Sequence, residues 1–287
     1  ILFRFDLFKN EFGKNIELNK YGLPKDGRMH NQIYVQRSHA KDFGHRFKNE
    51  DSKQANDCVI TNSMLKYTLD AIDDSVVEIS PFRHIKVDGV FREDLFSCIR
   101  QNLPSYENTN MIYQDKVEYR DPGRNFKKIW PEAESAAVSK FWYDFGRAFS
   151  SPSFIESLIQ KFKVVLEGRY SNDELRSENL EFENMLVRDL VGYKIRPHTD
   201  KKTKLVTTVF YIESDLRDGT GTSLYSNYTK ETLHHRLDFV PNTLFAFAPC
   251  QSSFHGVETQ RSTFPRDTIQ GFVHCGQNCE VRDLGSC

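Results

Sequence analysis

Apolar residues recur along this chain with two different periods, and the switch between them divides it. From Pro81 the segment HIKVDGVFREDLFSCIRQNLP predicts a short strand, a turn at Asp88-Gly89 and then a helix. That helix carries Phe91, Leu95, Phe96, Ile99 and Leu103 on one face and is closed by Pro104. A second helix is expected after Pro131, with Phe141, Trp142, Phe145 and Phe149 at helical spacing. A third starts with Ser151 as N-cap and Pro152 in the first helical position, followed by Phe154, Leu158, Ile159, Phe162 and Leu166. These stripes are packing faces and carry no chemistry of their own.

From about Leu180 the period shortens to two. ENMLVRDLV, LVTTVFYI, TSLYS, TLFAFA and DTIQGFV are short strand candidates, separated by turn residues such as RDGTG and VPN. Helices first and then a run of short strands predicts a mainly β protein with helices (α+β). The expected core is a double-stranded β-helix, or jelly roll, backed by N-terminal helices. The expected organisation is an extension over 1–80, the jelly-roll domain over 81–276, and a tail over 277–287. The first segment is polar and irregular, with strand-like pieces ILFRFDLF and QIYVQR and a mixed-charge run from Lys41 to Lys53. It reads as a substrate-covering extension or as the remnant of a preceding domain.

Composition narrows the function classes. A net charge of −1 over 287 residues excludes a strongly basic nucleic-acid binder at the level of the whole chain. No apolar run reaches the 18 residues a membrane span needs, so no membrane partner is expected. The six cysteines are sparse for a disulfide scaffold, which predicts free thiols and a cytoplasmic, reducing location. The stretch HCGQNC (His274 to Cys279) lacks paired C-x-x-C knuckles and is a poor zinc site.

The candidate chemistry begins at RPHTDKK, where His198 and Asp200 stand two apart and therefore share one side of an extended segment. Nine histidines give roughly 0.7 such H-x-D triplets by chance, so this pair alone decides little. His255 follows fifty-five positions beyond Asp200, in SSFHGVE, and Arg266 eleven positions after that, with Thr268 two further on. H-x-D, a distant His and a final R-x-T form a much rarer combination. Two imidazoles and a carboxylate on one face of a ferrous ion leave positions open for cosubstrate and oxygen.

Taken with GYKIRPHTD, KLVTTVFYI, GTSLY and PNTLFAFAPCQSSFHGVE, this order of motifs resembles the Fe(II)/2-oxoglutarate-dependent oxygenases, over roughly residues 81–275. The likeness is strongest to their prolyl-hydroxylase-like branch. The resemblance implies His198, Asp200 and His255 as iron ligands. It also implies Arg266 and Thr268 on the distal carboxylate of 2-oxoglutarate, with Tyr211 and Thr207 lining the cosubstrate site. It further implies oxidative decarboxylation of 2-oxoglutarate to succinate and CO2, consumption of O2, and ascorbate as an optional reductant. A carboxylate at Asp200, where related halogenases carry a small residue, points to hydroxylation. The glycine-rich strand departs from prolyl hydroxylases and reads DGTGTSLYS, closer to oxygenases of small molecules.

The expected partner is thus a small-molecule substrate, anionic if Lys194, Arg196 and Arg188 hold it. Lys201, Lys202 and Lys204 extend the same basic stretch, which reads equally as a solvated rim. The alternatives are a prolyl or lysyl protein hydroxylase, or a non-catalytic metal-binding jelly-roll sensor. His234 and His235, being adjacent, read as surface or packing residues.

Overall fold

The computed structural model describes residues 58–103, 124–129, 140–190, 192–214, 220–259 and 265–287, together with two short pieces, 8–9 and 15–16. QIYVQR, the charge run Lys41–Lys53 and the residues directly after Pro131 lie outside that set. The chain forms two compact units, Ile1–Asn56 and Asp57–Cys287. Of the first, β1 (Phe8–Lys9) and β2 (Asn15–Ile16) are described, paired antiparallel.

In the second unit, α1 (Asn62–Asp74) begins at Thr61, whose side-chain oxygen accepts from the Met64 amide. The polar pattern of this stretch predicts no helix, because Met64, Thr68 and Ile72 bury only one narrow line of side chains. β3 (His84–Asp88) and α2 (Glu93–Gln101) follow as expected, then β4 (Arg124–Ile129), which the sequence reading did not single out. α3 (Lys140–Ala148), α4 (Pro152–Lys161) and a short α5 (Lys163–Leu166) complete the helical part. Pro152 occupies the first turn of α4, and the Ser151 hydroxyl meets Ser153 rather than a backbone amide.

Eight strands are then shared between two sheets. They are β5 (Leu180–Asp189), β6 (Ile195–His198), β7 (Lys204–Glu213), β8 (Thr220–Tyr225), β9 (Leu233–Asp238), β10 (Thr243–Phe247), β11 (His255–Val257) and β12 (Arg266–Cys275). The larger sheet has the order β3-β10-β7-β12-β5-β4 and the smaller β6-β11-β8-β9. Successive strands switch sheets at every step except from β8 to β9, which makes a double-stranded β-helix, as the shift to period two predicted. His234 and His235 lie exposed on β9.

Each strand of the larger sheet has two faces with different tasks. In β7, Phe210 points to the helices, stacking on Phe91 at 4.9 Å and meeting Phe149 edge-on. Phe145, Phe149 and Phe154 continue this aromatic layer. Thr207 and Tyr211 point the other way, toward the smaller sheet, as do Phe272 and Thr268 opposite them on β12 and Arg266 two residues before Thr268.

All six cysteines are paired, Cys58–Cys98, Cys250–Cys287 and Cys275–Cys279, which corrects the expectation of free thiols. Each bridge joins cysteines that their spacing alone did not mark as partners. The pairing of Cys275 with Cys279 also removes the thiolates a zinc ion would need in HCGQNC.

Candidate active site

His198 ends β6 and His255 opens β11, and the two are direct cross-strand partners with ring centroids 4.4 Å apart. Gly256 permits this approach, since a Cβ there would stand 2.7 Å from the Ile195 carbonyl oxygen. Asp200 lies two residues beyond β6, where the chain crosses to β7. One ligand atom from each of the three residues falls within 4.8 Å of the others. Among the described residues this is the one such group of histidine, cysteine and acidic side chains.

The protonation states suit a cation. The Nδ1 atoms of His198 and His255 face the carbonyl oxygens of Arg196 and Ser253, at 2.9 and 3.0 Å. A carbonyl only accepts, so each Nδ1 carries the proton and each Nε2 keeps its lone pair for a metal. Burial, with the nearby His198 ring, outweighs the Asp200 carboxylate and pushes His255 down to about 4, so its imidazole is neutral at pH 7. Burial pulls Asp200 upward, but the Lys204 ammonium beside it prevails, helped by hydrogen bonds from Lys204 and Thr207. Its carboxyl is held well below the usual range. Lys204 Nζ donates to Oδ1 and Thr207 Oγ1 to Oδ2, both at 2.6 Å. Two imidazoles that turn Nε2 toward a fixed, buried carboxylate fit a divalent ion such as Fe(II).

Farther along the same inner face, Arg266 and Tyr211 are buried at 1 % and 0 % exposure. The Tyr211 hydroxyl donates to Thr222 Oγ1 at 2.8 Å, accepts from the Thr222 amide, and its ring stacks on Phe239. Arg266 lies over the same Phe239 ring and reaches the Gly221 carbonyl. Thr268 is fully buried, and its hydroxyl has no hydrogen-bond partner among the described residues. A buried guanidinium beside a partnerless hydroxyl is a fitting receptor for a carboxylate.

The crossed arginines of β5 and β12 change two sequence readings. Asp189 stands opposite Arg266 and comes within 3.1 Å of its Nε, a neighbour that the sequence reading missed. Arg188 pairs with Asp267 instead, through two hydrogen bonds of 2.8 and 2.7 Å on the opposite face of the sheet. Arg188, expected at the substrate, is thus buried in an ion pair on the sheet face turned away from the triad. Two Arg-Asp dipeptides in register were the available signal. Lys194 and Arg196 are exposed, whereas Lys204, one of the ambiguous basic residues, reaches the triad and lies 3.6 Å over the Phe272 ring.

No family model and no curated relative matches the chain. Solved structures do resemble it in fold. A prolyl-4-hydroxylase from Pseudomonas putida superposes with a TM-score of 0.47 at 14 % identity, covering 73 % of this chain and all of that one. A prolyl hydroxylase from Trichoplax adhaerens, in complex with a hypoxia inducible factor peptide fragment, gives 0.48 and 14 %, covering 76 % and 96 %. The dioxygenase for auxin oxidation 1 from Arabidopsis thaliana, in a binary complex with 2-oxoglutarate, gives 0.45 and 11 %, covering 79 % and 92 %.

Proposed function

We propose that this chain is an Fe(II)- and 2-oxoglutarate-dependent dioxygenase that hydroxylates an unactivated C–H bond of a small, anionic metabolite. The observation that carries the reading is the placing of two side-chain clusters on the inner face between the sheets. One is the His198–Asp200–His255 triad, and the other is Arg266 with Thr268 and Tyr211. A jelly roll that only sensed a metal would have no use for the second cluster.

When bound, the iron supplies oxygen activation coupled to decarboxylation of 2-oxoglutarate to succinate and CO2. The chain's own residues then have definite tasks. His198, Asp200 and His255 hold the ion, with Thr207 fixing one oxygen of Asp200. Arg266 takes the distal carboxylate of the cosubstrate through its planar fork, Thr268 adds a hydroxyl, and Tyr211 packs beside them. Phe239, stacked on Tyr211, and Phe247, tilted against His255, exclude water. The exposed Lys194 and Arg196 support an anionic substrate. Three disulfides favour an oxidising compartment over the cytoplasmic one expected from cysteine number.

The test is anaerobic addition of Fe(II) and 2-oxoglutarate, followed by the visible charge-transfer band of the chelate. Oxygen is then admitted, and succinate release is screened against anionic metabolites and against proline-containing peptides. A wild-type protein that binds no 2-oxoglutarate overturns the enzyme reading. Coupling to a peptide alone overturns the small-molecule reading.

A further inference from the structure

We propose that the segment Gly276–Cys287 is a covalently latched strap that keeps the two metal-ligand loops in register, with Arg169 as its positioning residue. The inference rests on the triad being a divalent-metal site. It concerns residues other than the ligands themselves.

Arg169 lies between α5 and β5 and is only 6 % exposed. Its Nη1 donates to the Pro249 carbonyl at 3.1 Å, in the loop leading to His255. Its Nη2 donates to the Lys202 carbonyl at 3.4 Å, two residues past Asp200, and to the Arg282 carbonyl at 3.2 Å, in the strap. One guanidinium thus joins three segments that are far apart in sequence, two of which carry metal ligands. Arg282 returns a hydrogen bond to the Arg169 carbonyl and pairs with Glu174. Both arginines lie over the Tyr170 ring.

The strap is fastened to the same two loops by other means. Lys202 pairs with Asp283 at 2.8 Å. The Gln251 amide donates to the Gly285 carbonyl at 2.9 Å, and Cys250 is disulfide-bonded to Cys287. Gly285 packs so closely that a Cβ there would stand 3.2 Å from the Arg169 side chain. The disulfide therefore closes a ring that runs from the His255 loop, through the strap, to the Asp200 loop. Opening it with a dithiol breaks one S–S bond, yields the two thiols of Cys250 and Cys287, and oxidises the dithiol to its own disulfide.

The experiment compares wild type with the Cys250→Ser/Cys287→Ser double variant, using Co(II) alone as the probe metal and amide hydrogen exchange as a second readout. The Cys58→Ser/Cys98→Ser pair, at the far bridge, controls for loss of a disulfide as such. The expected result is at least tenfold faster exchange at Gln251 and a tenfold or greater rise in the Co(II) Kd, in the strap variant only. Arg282→Met, which removes three side-chain contacts of the strap without touching a cysteine, should act in the same direction and is decisive if the double variant does not fold. A folded variant with unchanged exchange, or with fast exchange but a Co(II) Kd within twofold of wild type, overturns the proposal. If the wild type itself binds no Co(II), the metal reading fails, and exchange at Gln251 alone decides whether the strap holds the loop.

Discussion

Both oxygens of Asp200 are engaged by neighbours on β7, Lys204 at Oδ1 and Thr207 at Oδ2, so the carboxylate is oriented before any metal arrives. Thr207→Val removes one of these supports with little change in volume, and metal affinity should fall ten- to hundredfold in a Co(II) titration. Asp200→Ala should abolish both metal binding and succinate formation. His255 gives a separate test through pH. Its folded value of about 4 lies below the ordinary 6.5, so between those values the unfolded chain binds a proton that the fold refuses. Stability of the metal-free protein therefore falls as pH drops through that window, by about 2 kcal/mol from pH 7 to pH 5. Urea denaturation at both pH values reads the loss, and His255→Gln should flatten it. An equal pH slope in that variant would assign the loss to other groups. At this scale the triad was legible because two residues two apart on extended chain share a side. Lys204 and Asp189 were not, since their roles depend on which side chains the sheets bring opposite them.

Between strands, the register of β5, β7 and β12 decides which charges face the site. Arg266 opposes Asp189 and Thr268 opposes Tyr211 on the inner face, while Arg188 and Asp267 meet on the outer one. The strands themselves were readable from alternation in KLVTTVFYI and DTIQGFV. Their register was not, because a shift of one residue exchanges the faces without altering the pattern of apolar positions. Two substitutions separate the faces. Arg266→Lys keeps the charge but loses the fork, and the Kd for 2-oxoglutarate in anaerobic calorimetry should rise at least tenfold with Co(II) affinity preserved. Arg188→Met leaves the Asp267 carboxylate buried and unpaired, which should cost roughly 3–5 kcal/mol in denaturant unfolding. Its effect on cosubstrate binding should be small once the protein is folded. At β11, Gly256→Ala would set a Cβ against the β6 backbone and part His255 from His198, weakening Co(II) binding together with stability.

Across the whole molecule, the helices and the site lie on opposite sides of one sheet, so a single strand serves both. The sequence displayed this division as two periods, aromatic stripes every three or four residues followed by alternation. It did not display the cross-links, because which cysteines meet is decided by how the chain returns on itself. Neighbouring residues of β7 make the division measurable. Phe210 is fully buried among Phe91, Phe149 and Phe154, and truncation to Leu or Ala removes ring contacts from the layer that joins sheet to helices. Phe210→Ala should lower the unfolding free energy by about 3–5 kcal/mol, and Phe210→Leu by less. The folded Leu variant should still bind Co(II) and 2-oxoglutarate with wild-type affinity. Tyr211, one residue on, faces the other way with its hydroxyl between the Thr222 amide and side chain. Tyr211→Phe keeps the ring on Phe239 but leaves the Thr222 groups without their partner, costing about 1–3 kcal/mol of stability. It should also weaken 2-oxoglutarate binding, which Phe210→Leu does not touch. Stability and cosubstrate affinity would thus separate at adjacent positions. Parallel loss of both in Phe210→Leu would mean that the sheet transmits packing defects to the site, and that its two faces are mechanically one.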